Sequence, residues 1–253
     1  MEKSAKISII TVVFNGRLYI QHAVESVLNQ SYANLEYIVV DGGSTDGTLD
    51  IIKSYGKRIT HVISEPDRGM YDALNKGIRL ATGDIVGIVN SDDALYDPDV
   101  IADIVKEFEN SAIECSYGNL IYVDRETATK TTRTWISKPF ESGLFEKSWT
   151  PAHPTFYCRR ELFEKYGYYR LDFKIAADVE LMYRFLEKHR VRSLYIPRMM
   201  MRMRNAGISN SGISSTVIIT SEMKRAIREN GGRFSLLKYL FFKGLKIKQF
   251  IQR

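Results

Sequence analysis

Residues 83–96 read GDIVGIVNSDDALY, an apolar run from Ile85 to Val89 driven straight into Asn90, Ser91, Asp92 and Asp93. An apolar strand that stops on two adjacent carboxylates makes either a solvated turn or a site that holds a cation. Two other apolar runs end in a similar way. Ile7–Phe14 gives way to Asn15-Gly16, and Leu35–Val40 to Asp41-Gly42-Gly43-Ser44-Thr45-Asp46-Gly47. Any one of these is an ordinary turn, but three together point to a shared ligand edge. Asp41, Ser44, Asp92 and Asp93 offer the hard oxygens that Mg²⁺ and Mn²⁺ favour, and such a cation lets carboxylates face a phosphate. Neighbours on an extended backbone point to opposite sides. One of Asp92 and Asp93 therefore takes the metal while the other meets sugar or backbone.

These residues need a scaffold that brings strand ends together. Strand-like runs occur at Ile7–Phe14, Leu35–Val40, Ile59–Ser64 and Ile85–Val89, nearly all apolar or β-branched, as in strands covered on both faces. Between and after them lie helical stripes: Leu18, Ala23, Val24, Val27 and Leu28; Leu49, Ile51 and Ile52; Tyr71, Leu74, Ile78 and Ala81; Val100, Ile101, Ile104, Val105 and Phe108. Such alternation predicts an α/β fold with a doubly wound, mostly parallel sheet, whose ligands sit beyond the carboxyl ends of the strands. The first turn, FNGRLY, carries neither G-x-G-x-x-G nor G-x-x-x-x-G-K-[ST], which argues against a dinucleotide oxidoreductase and a P-loop NTPase.

The second half reads differently. YGNLIYVDRETATKTTRTWI predicts a hairpin around a polar turn at Asp124–Thr129. PTFYCRRELFEKYG predicts a short strand and a short helix. AADVELMYRFLEKH carries Leu181, Met182, Phe185 and Leu186 on one helical face, and VRSLYIP and RMMMRMR read as two more strands. Asn205–Ser215, rich in Gly, Ser and Asn, reads as a mobile loop. The 44% hydrophobic and 26% charged fractions are those of an ordinary globular protein. No run reaches the roughly 18 apolar residues of a membrane span, and Ile7–Phe14 is too short for a signal peptide. Cys115 and Cys158 form neither a disulfide framework nor a zinc pattern, so a reducing, cytosolic setting is expected. The net charge of +6 resides in the tail, where residues 231–253 hold Arg233, Lys238, Lys243, Lys246, Lys248 and Arg253 and no acid. The body shows no basic stripe for nucleic acid.

From ISIITVVFNGRLYIQHAVESVLNQSYANLEYIVVDGGSTDGT through ISEPDRGMYDALNKGIRLATGDIVGIVNSDDALY to FKIAADVELMYRF, roughly residues 5–190, the chain resembles a family 2 glycosyltransferase of the GT-A fold. It is similar above all to the branch that builds bacterial O-antigens and other surface polysaccharides. The resemblance implies a Rossmann-like sheet and a divalent metal, Mn²⁺ or Mg²⁺. It implies that Phe14, beside Asn15, stacks the nucleotide base, and that Asp41 meets base or ribose. Asn90-Ser91-Asp92 takes the place of the D-x-D motif, and Asp178 that of the general base. Asp72 and Asn75, in the segment 65–77, become expected donor contacts. The chain departs from the family at two positions. Gly42 replaces the second Asp of D-D-G-S, removing a carboxylate, and Asn90 replaces the first Asp of D-x-D, which lowers the charge available to the metal.

Other residues carry competing readings. Asp178 opens an apolar helix, where an Asp is commonly a cap; a carboxylate there also sits in the favourable field of the helix dipole. Asp67 is placed to cap the next helix, and Arg68 to pair with a diphosphate or face solvent. His153, between two prolines, is structural or on the acceptor side. Arg202 and Arg204 either close over the diphosphate or form a wet strand face. On a helical period Leu236, Leu237, Leu240, Phe241, Ile247 and Ile251 share a face into which only Lys248 intrudes; this face packs on the body or lies on an anionic membrane. The expected organisation is one GT-A domain over residues 1–230, with nucleotide-binding and acceptor parts of about 1–95 and 96–215, and a basic tail over 231–253. The expected activity is inverting transfer from a nucleotide-sugar, a UDP-sugar, to a lipid-linked glycan at the inner face of the cytoplasmic membrane, with an oligomer open. A nucleotidyltransferase or a silent nucleotide-sugar-binding subunit are the alternatives.

Overall fold

The structure, a computed structural model, describes residues 4–205 and 213–248. Its first half alternates β1 (Ile7–Val13), α1 (Ile20–Leu28), β2 (Leu35–Asp41), α2 (Thr48–Ser54), β3 (His61–Ser64), α3 (Met70–Leu80) and β4 (Ile85–Ile88). β2, β1 and β4 pair in parallel, and β3 adds to β2 in parallel at the edge. Every residue of β1 and β4 is buried, which is why both read as unbroken apolar runs. Alternate side chains serve opposite layers. Ile10, Val12, Ile38 and Val40 pack with α3, while Ile7, Ile9, Val13, Tyr37 and Val39 pack with α1. Each fully buried aliphatic side chain here contributes roughly 1.5–3 kcal/mol. β3 is shorter than Ile59–Ser64 and mostly exposed. A 3₁₀ turn at Gly56–Arg58 tucks Ile59 into the core, and pairing begins only afterwards.

The second half comprises β5 (Ala94–Leu95), α4 (Val100–Phe108), β6 (Cys115–Val123), β7 (Thr131–Trp135), β8 (Tyr157–Arg159), α5 (Glu161–Tyr166), α6 (Ala177–Tyr183), β9 (Ser193–Arg204), α7 (Ile213–Glu229) and α8 (Leu236–Lys248). The sheet order among the described residues is β3-β2-β1-β4-β8-β6-β9-β5, with β7 paired to β6. β8 enters antiparallel between β4 and β6, while β6 and β9 run parallel. The parallel doubly wound half is thus extended by a mixed one. The β6–β7 hairpin forms as its turn chemistry predicts, with the Asp124 carboxylate accepting N–H bonds from Thr127, Thr129 and Lys130. The two strands expected in VRSLYIP and RMMMRMR are instead one, β9. Pro197 has no N–H to give a ladder, and the register with β6 slips between Tyr117 and Leu120 to pass it.

Cys115 and Cys158 are buried free thiols that face one another across β6 and β8. No helix among the described residues is long and apolar enough to cross a membrane. Residues 206–212 of the segment read as a mobile loop lie outside the described residues. α8 docks through Tyr239, which is buried beside Phe234, while Leu236, Leu237, Leu240 and Phe241 are exposed. The side chains of Ile247, Lys248 and Ile251 lie outside the described residues.

Candidate active site

The carboxyl ends of β1, β2 and β4 meet at one edge. Asp41 closes β2 and is fully buried. Its Oδ2 accepts bonds from the Ser44 N–H at 3.1 Å and the Ser64 hydroxyl at 2.7 Å. Its Oδ1 is buried without a partner in the protein. A buried acceptor left unpaired costs roughly 1–3 kcal/mol, so this oxygen marks a place where an incoming donor is favoured. Asn15 adopts a left-handed φ of 50°. Its N–H donates to Ser44 Oγ at 2.7 Å, and its Oδ1 accepts from the Thr45 N–H at 2.9 Å. These bonds lock the first loop to the second. Phe14 stands 65% exposed on the same edge. Phe14, Asn15, Asp41 and Ser44 therefore come together as the sequence predicts.

The Asn90–Asp93 turn separates the two adjacent carboxylates. Asp93 is buried; its Oδ2 accepts from Asn90 Nδ2 at 2.8 Å and its Oδ1 from the Arg204 N–H at 3.2 Å. Burial, with Asp92 beside it, raises the proton affinity of Asp93 despite those donors. The expectation that Asp93 is a metal ligand is corrected accordingly: it is the backbone-facing member that ties β4 to β9. Asp92 is the partly exposed member, beside Ser91. Burial raises its pKa, and the charges of Arg204 and Arg125 pull it down. Asn90 also has a reason, since an Asp there would set a second carboxylate against Asp93.

Arg202 and Arg204 are not a wet strand face. Arg204 is buried, lies 4.8 Å from the Tyr19 ring centroid, and donates to the Arg125 carbonyl at 2.8 Å. Arg202 stacks on Tyr96 at 4.4 Å and donates to the Tyr96 carbonyl. Both are anchored by aromatic rings, and Arg204 lies next to Asp92 through the Asp93 tie.

The segment leading into α3 requires two further corrections. Asn75 is buried, and its amide exchanges two hydrogen bonds with the Tyr169 backbone, at 2.8 and 2.9 Å. It joins α3 to the chain before α6 and is not open to a ligand. Asp72 accepts the Arg68 N–H at 3.1 Å and pairs with the Arg68 and Lys76 side chains. It closes the first turn of α3 where a donor contact was expected. The Arg68 side chain is 77% exposed.

Asp178 is not a cap. It is the second residue of α6, and the cap position falls on Ala176. Just ahead of the helix, the N–H groups of Lys174, Ile175 and Ala176 donate to Glu222 of α7, at 2.7, 3.0 and 2.9 Å. Asp178 makes no cap hydrogen bond to α6. Asp178 Oδ1 lies 3.2 Å from the Tyr71 hydroxyl, whose single proton it shares with the Ile175 carbonyl at 2.5 Å. Tyr71 stacks on Tyr169 with centroids 5.6 Å apart, and the Tyr169 hydroxyl meets His153 Nε2 at 2.7 Å. Burial lowers the pKa of His153, with Asp178 opposing that effect. His153 is thus one end of a chain reaching Asp178 through two tyrosines. Sequence reasoning had Tyr71 only as a core residue and missed Glu222 altogether, because their partners are far away along the chain.

No group of three or more His, Cys, Asp or Glu able to hold a metal occurs among the described residues. Mg²⁺-type sites commonly use one or two carboxylates and take their remaining oxygens from substrate phosphates. Asp92, a hard oxygen donor with Arg204 and Arg125 nearby to meet phosphate charge, fits an ion shared with a diphosphate. It does not fit an all-protein cage.

Residues 8–167 match the model of the family described as Glycosyl transferase family 2. An uncharacterized glycosyltransferase of Mycobacterium tuberculosis (strain CDC 1551 / Oshkosh) is 34% identical over 186 residues, which cover 73% of this chain and 70% of the relative. Among solved structures, S. aureus TarS 1-349 in complex with UDP-GlcNAc superposes with a TM-score of 0.68 and 16% identity, covering 94% of this chain and 71% of that one. The chain spans 43% of a longer TarS structure. The mannosyltransferase PcManGT from Pyrobaculum calidifontis, in complex with GDP-Man and Mn²⁺, gives a TM-score of 0.67 at 18% identity, covering 96% of this chain and 69% of that one.

Proposed function

The chain belongs to glycosyl transferase family 2, and from that premise we propose that it moves one sugar from a UDP-sugar onto a lipid-linked glycan, inverting the anomeric carbon. The observation that carries this reading is the buried Asp41 oxygen without a protein partner, set on the same edge as the exposed Phe14 ring. A stacking platform beside an unmet acceptor suits a nucleoside. The UDP-GlcNAc and GDP-Man named for two proteins of similar fold agree with a nucleotide-sugar donor.

In this reading Asp178 takes the proton of the acceptor hydroxyl as that oxygen bonds to C1 of the sugar. The bond from C1 to the diphosphate oxygen breaks, its electron pair leaves with the nucleoside diphosphate, and attack from the opposite side inverts C1. Tyr71 aims the Asp178 carboxylate. Arg204, Arg125 and the exposed Arg68 offer positive charge to the diphosphate. A divalent ion on Asp92 would supply charge stabilisation of the departing diphosphate. The body over residues 1–230 would hold both substrates. The exposed apolar residues of α8, flanked by Arg233, Lys238 and Lys243, would rest on an anionic membrane at its cytoplasmic face, where surface polysaccharide precursors are extended.

The test is thermal stability against UDP, UDP-sugars, GDP-sugars, NAD and ATP, each with Mn²⁺ and with chelator. A ligand that binds only the folded chain raises Tm by mass action. A metal-dependent rise with UDP-sugars, lost in Asp92→Ala, supports the reading. No rise with any sugar nucleotide sinks it.

A further inference from the structure

His153 is partly exposed, as is Asp178, although the two tyrosines that link them, Tyr71 and Tyr169, are buried. Its place is fixed by a short 3₁₀ turn, His153–Thr155, flanked by Pro151 and containing Pro154. The Thr155 hydroxyl donates to the Ala152 carbonyl at 2.8 Å and accepts from the Gly118 N–H of β6 at 3.2 Å. The Phe156 N–H closes the turn on the His153 carbonyl at 2.9 Å. The ring therefore stands on rigid backbone tied to the sheet.

The two ring nitrogens are not equivalent. Nε2 lies 2.7 Å from the Tyr169 hydroxyl, which has no other hydrogen-bond partner among the described residues. Burial keeps that phenol protonated far above the usual tyrosine range, and it lowers the imidazole pKa against the pull of Asp178, so the ring is neutral. A neutral imidazole has one N–H and one bare nitrogen. With the N–H on Nε2, the buried Tyr169 hydrogen would be left without an acceptor. With Tyr169 donating to Nε2, every hydrogen of the pair is used and the imidazole proton sits on Nδ1. That Nδ1–H has no partner among the described residues.

We propose that His153 binds the acceptor sugar, its Nδ1–H donating to the hydroxyl vicinal to the one that reacts. This inference rests on the reading of Asp178 as the base and deepens it. The attacking hydroxyl gives its hydrogen to Asp178 and needs a lone pair for C1, so a second donor aimed at it would lower its nucleophilicity. A fixed N–H close to the base is better matched to the neighbouring oxygen, which only has to accept. An acceptor with a free hydroxyl on the adjacent carbon is therefore preferred over one that lacks it. The bond from Tyr169 explains why the ring is held, but not why its other nitrogen stays open near Asp178.

The experiment has two arms. Long-range proton–nitrogen NMR spectra of the full chain, labelled with ¹⁵N at histidine, report the tautomer near neutral pH without any ligand, and His153→Phe identifies the signal. A neutral ring with its proton on Nδ1 is expected; a proton on Nε2, or a charged ring, overturns the inference. The second arm measures nucleoside diphosphate release from the UDP-sugar that raises Tm most. Methyl α- and β-glycosides of glucose, galactose, mannose and N-acetylglucosamine serve as acceptors, followed by the monodeoxy forms of the best one. In the parent, removing the vicinal hydroxyl should cut kcat/KM about fivefold, the loss of one hydrogen bond. In His153→Phe/Tyr169→Phe both polar partners are gone, so no buried group is left unpaired and Tm should stay near that of the parent. The deoxy penalty should vanish in that variant, as expected of groups in contact, while nucleotide Kd stays within about twofold. No vicinal penalty in the parent, a penalty that persists in the double variant, or a parent that binds sugar nucleotide yet turns over no faster with any glycoside than with water overturns the inference and leaves the nucleotide reading intact. A parent that binds no sugar nucleotide overturns both.

Discussion

Tyr71→Phe removes one oxygen and little else. The ring keeps its stack on Tyr169 at 5.6 Å, so no cavity opens. The loss is the donor to the Ile175 carbonyl at 2.5 Å and the neighbour of Asp178 Oδ1 at 3.2 Å. Burial, with the Asp178 charge beside it, keeps this phenol protonated far above the usual tyrosine range, so it remains a donor at any working pH. One buried hydrogen bond gives a stability loss of about 1 kcal/mol. If the hydroxyl also aims the base, the misdirected carboxylate costs a further 1.4 kcal/mol or so in the chemical step, about tenfold in kcat. Nucleotide KM should stay within about twofold, because Tyr71 does not touch the edge that holds Phe14 and Asp41. The assay is release of nucleoside diphosphate with acceptor present, for Tyr71→Phe, Asp178→Asn and the pair combined. Asp178→Asn alone should lose about a hundredfold or more, and adding Tyr71→Phe to it should change almost nothing. Full kcat in Tyr71→Phe, or a second tenfold loss on the Asp178→Asn background, would refute the positioning argument.

Three further outcomes follow from the geometry. Asn90→Asp replaces the donor that lies 2.8 Å from Asp93 with a second carboxylate. The crowded pair binds an extra proton in the folded state, so stability falls as pH rises; melts should show a deficit at pH 8 that shrinks at pH 5, and a pH-independent deficit counts against this. Glu36 is desolvated, which alone would raise its pKa, yet bonds from Lys6, Ser8 and Thr82 hold it to about 2. Its stabilisation, on the order of 2 kcal/mol after allowance for solvent around the partly exposed Lys6, is present above the unfolded carboxylate range and lost as pH falls towards 2. Glu36→Gln should therefore flatten the acid limb of a urea-unfolding series, and an unchanged slope between pH 5 and 3 would contradict it. Glu222→Gln retains one acceptor oxygen for three N–H groups, costing about 1–2 kcal/mol. Amide exchange at Lys174–Ala176 should quicken, and unaltered exchange there would remove Glu222 from the support of α6.

The parts legible in the sequence are those set by short-range chemistry. β1, β2 and β4 announce themselves because strands buried on both faces must be apolar throughout, and their polar ends must turn. That Phe14, Asn15, Asp41 and Ser44 meet at one edge was legible because Asp41 closes such a strand and the other three follow one by only a few residues. The Asp124 hairpin was legible for the same reason. For Asn75, Asp93 and β9 a deciding partner lay far along the chain, whereas Asp72 is taken by its neighbours Arg68 and Lys76. Asn75 looks like a ligand contact until Tyr169 takes both ends of its amide, and Asp93 looks like a metal ligand until Arg204 and Asn90 occupy its oxygens. β9 looked like two strands because proline interrupts the local pattern, whereas a slipped register against β6 lets the strand continue. Helical periodicity in α8 shows that an apolar face exists, but only docking through Tyr239 decides that Leu237 and Phe241 stay exposed. Composition and spacing along the chain thus determine which strands form and where they end. Which carboxylate is left for a ligand depends on which donors the folded chain brings to the others, and such pairings between distant residues leave no periodic trace in the sequence.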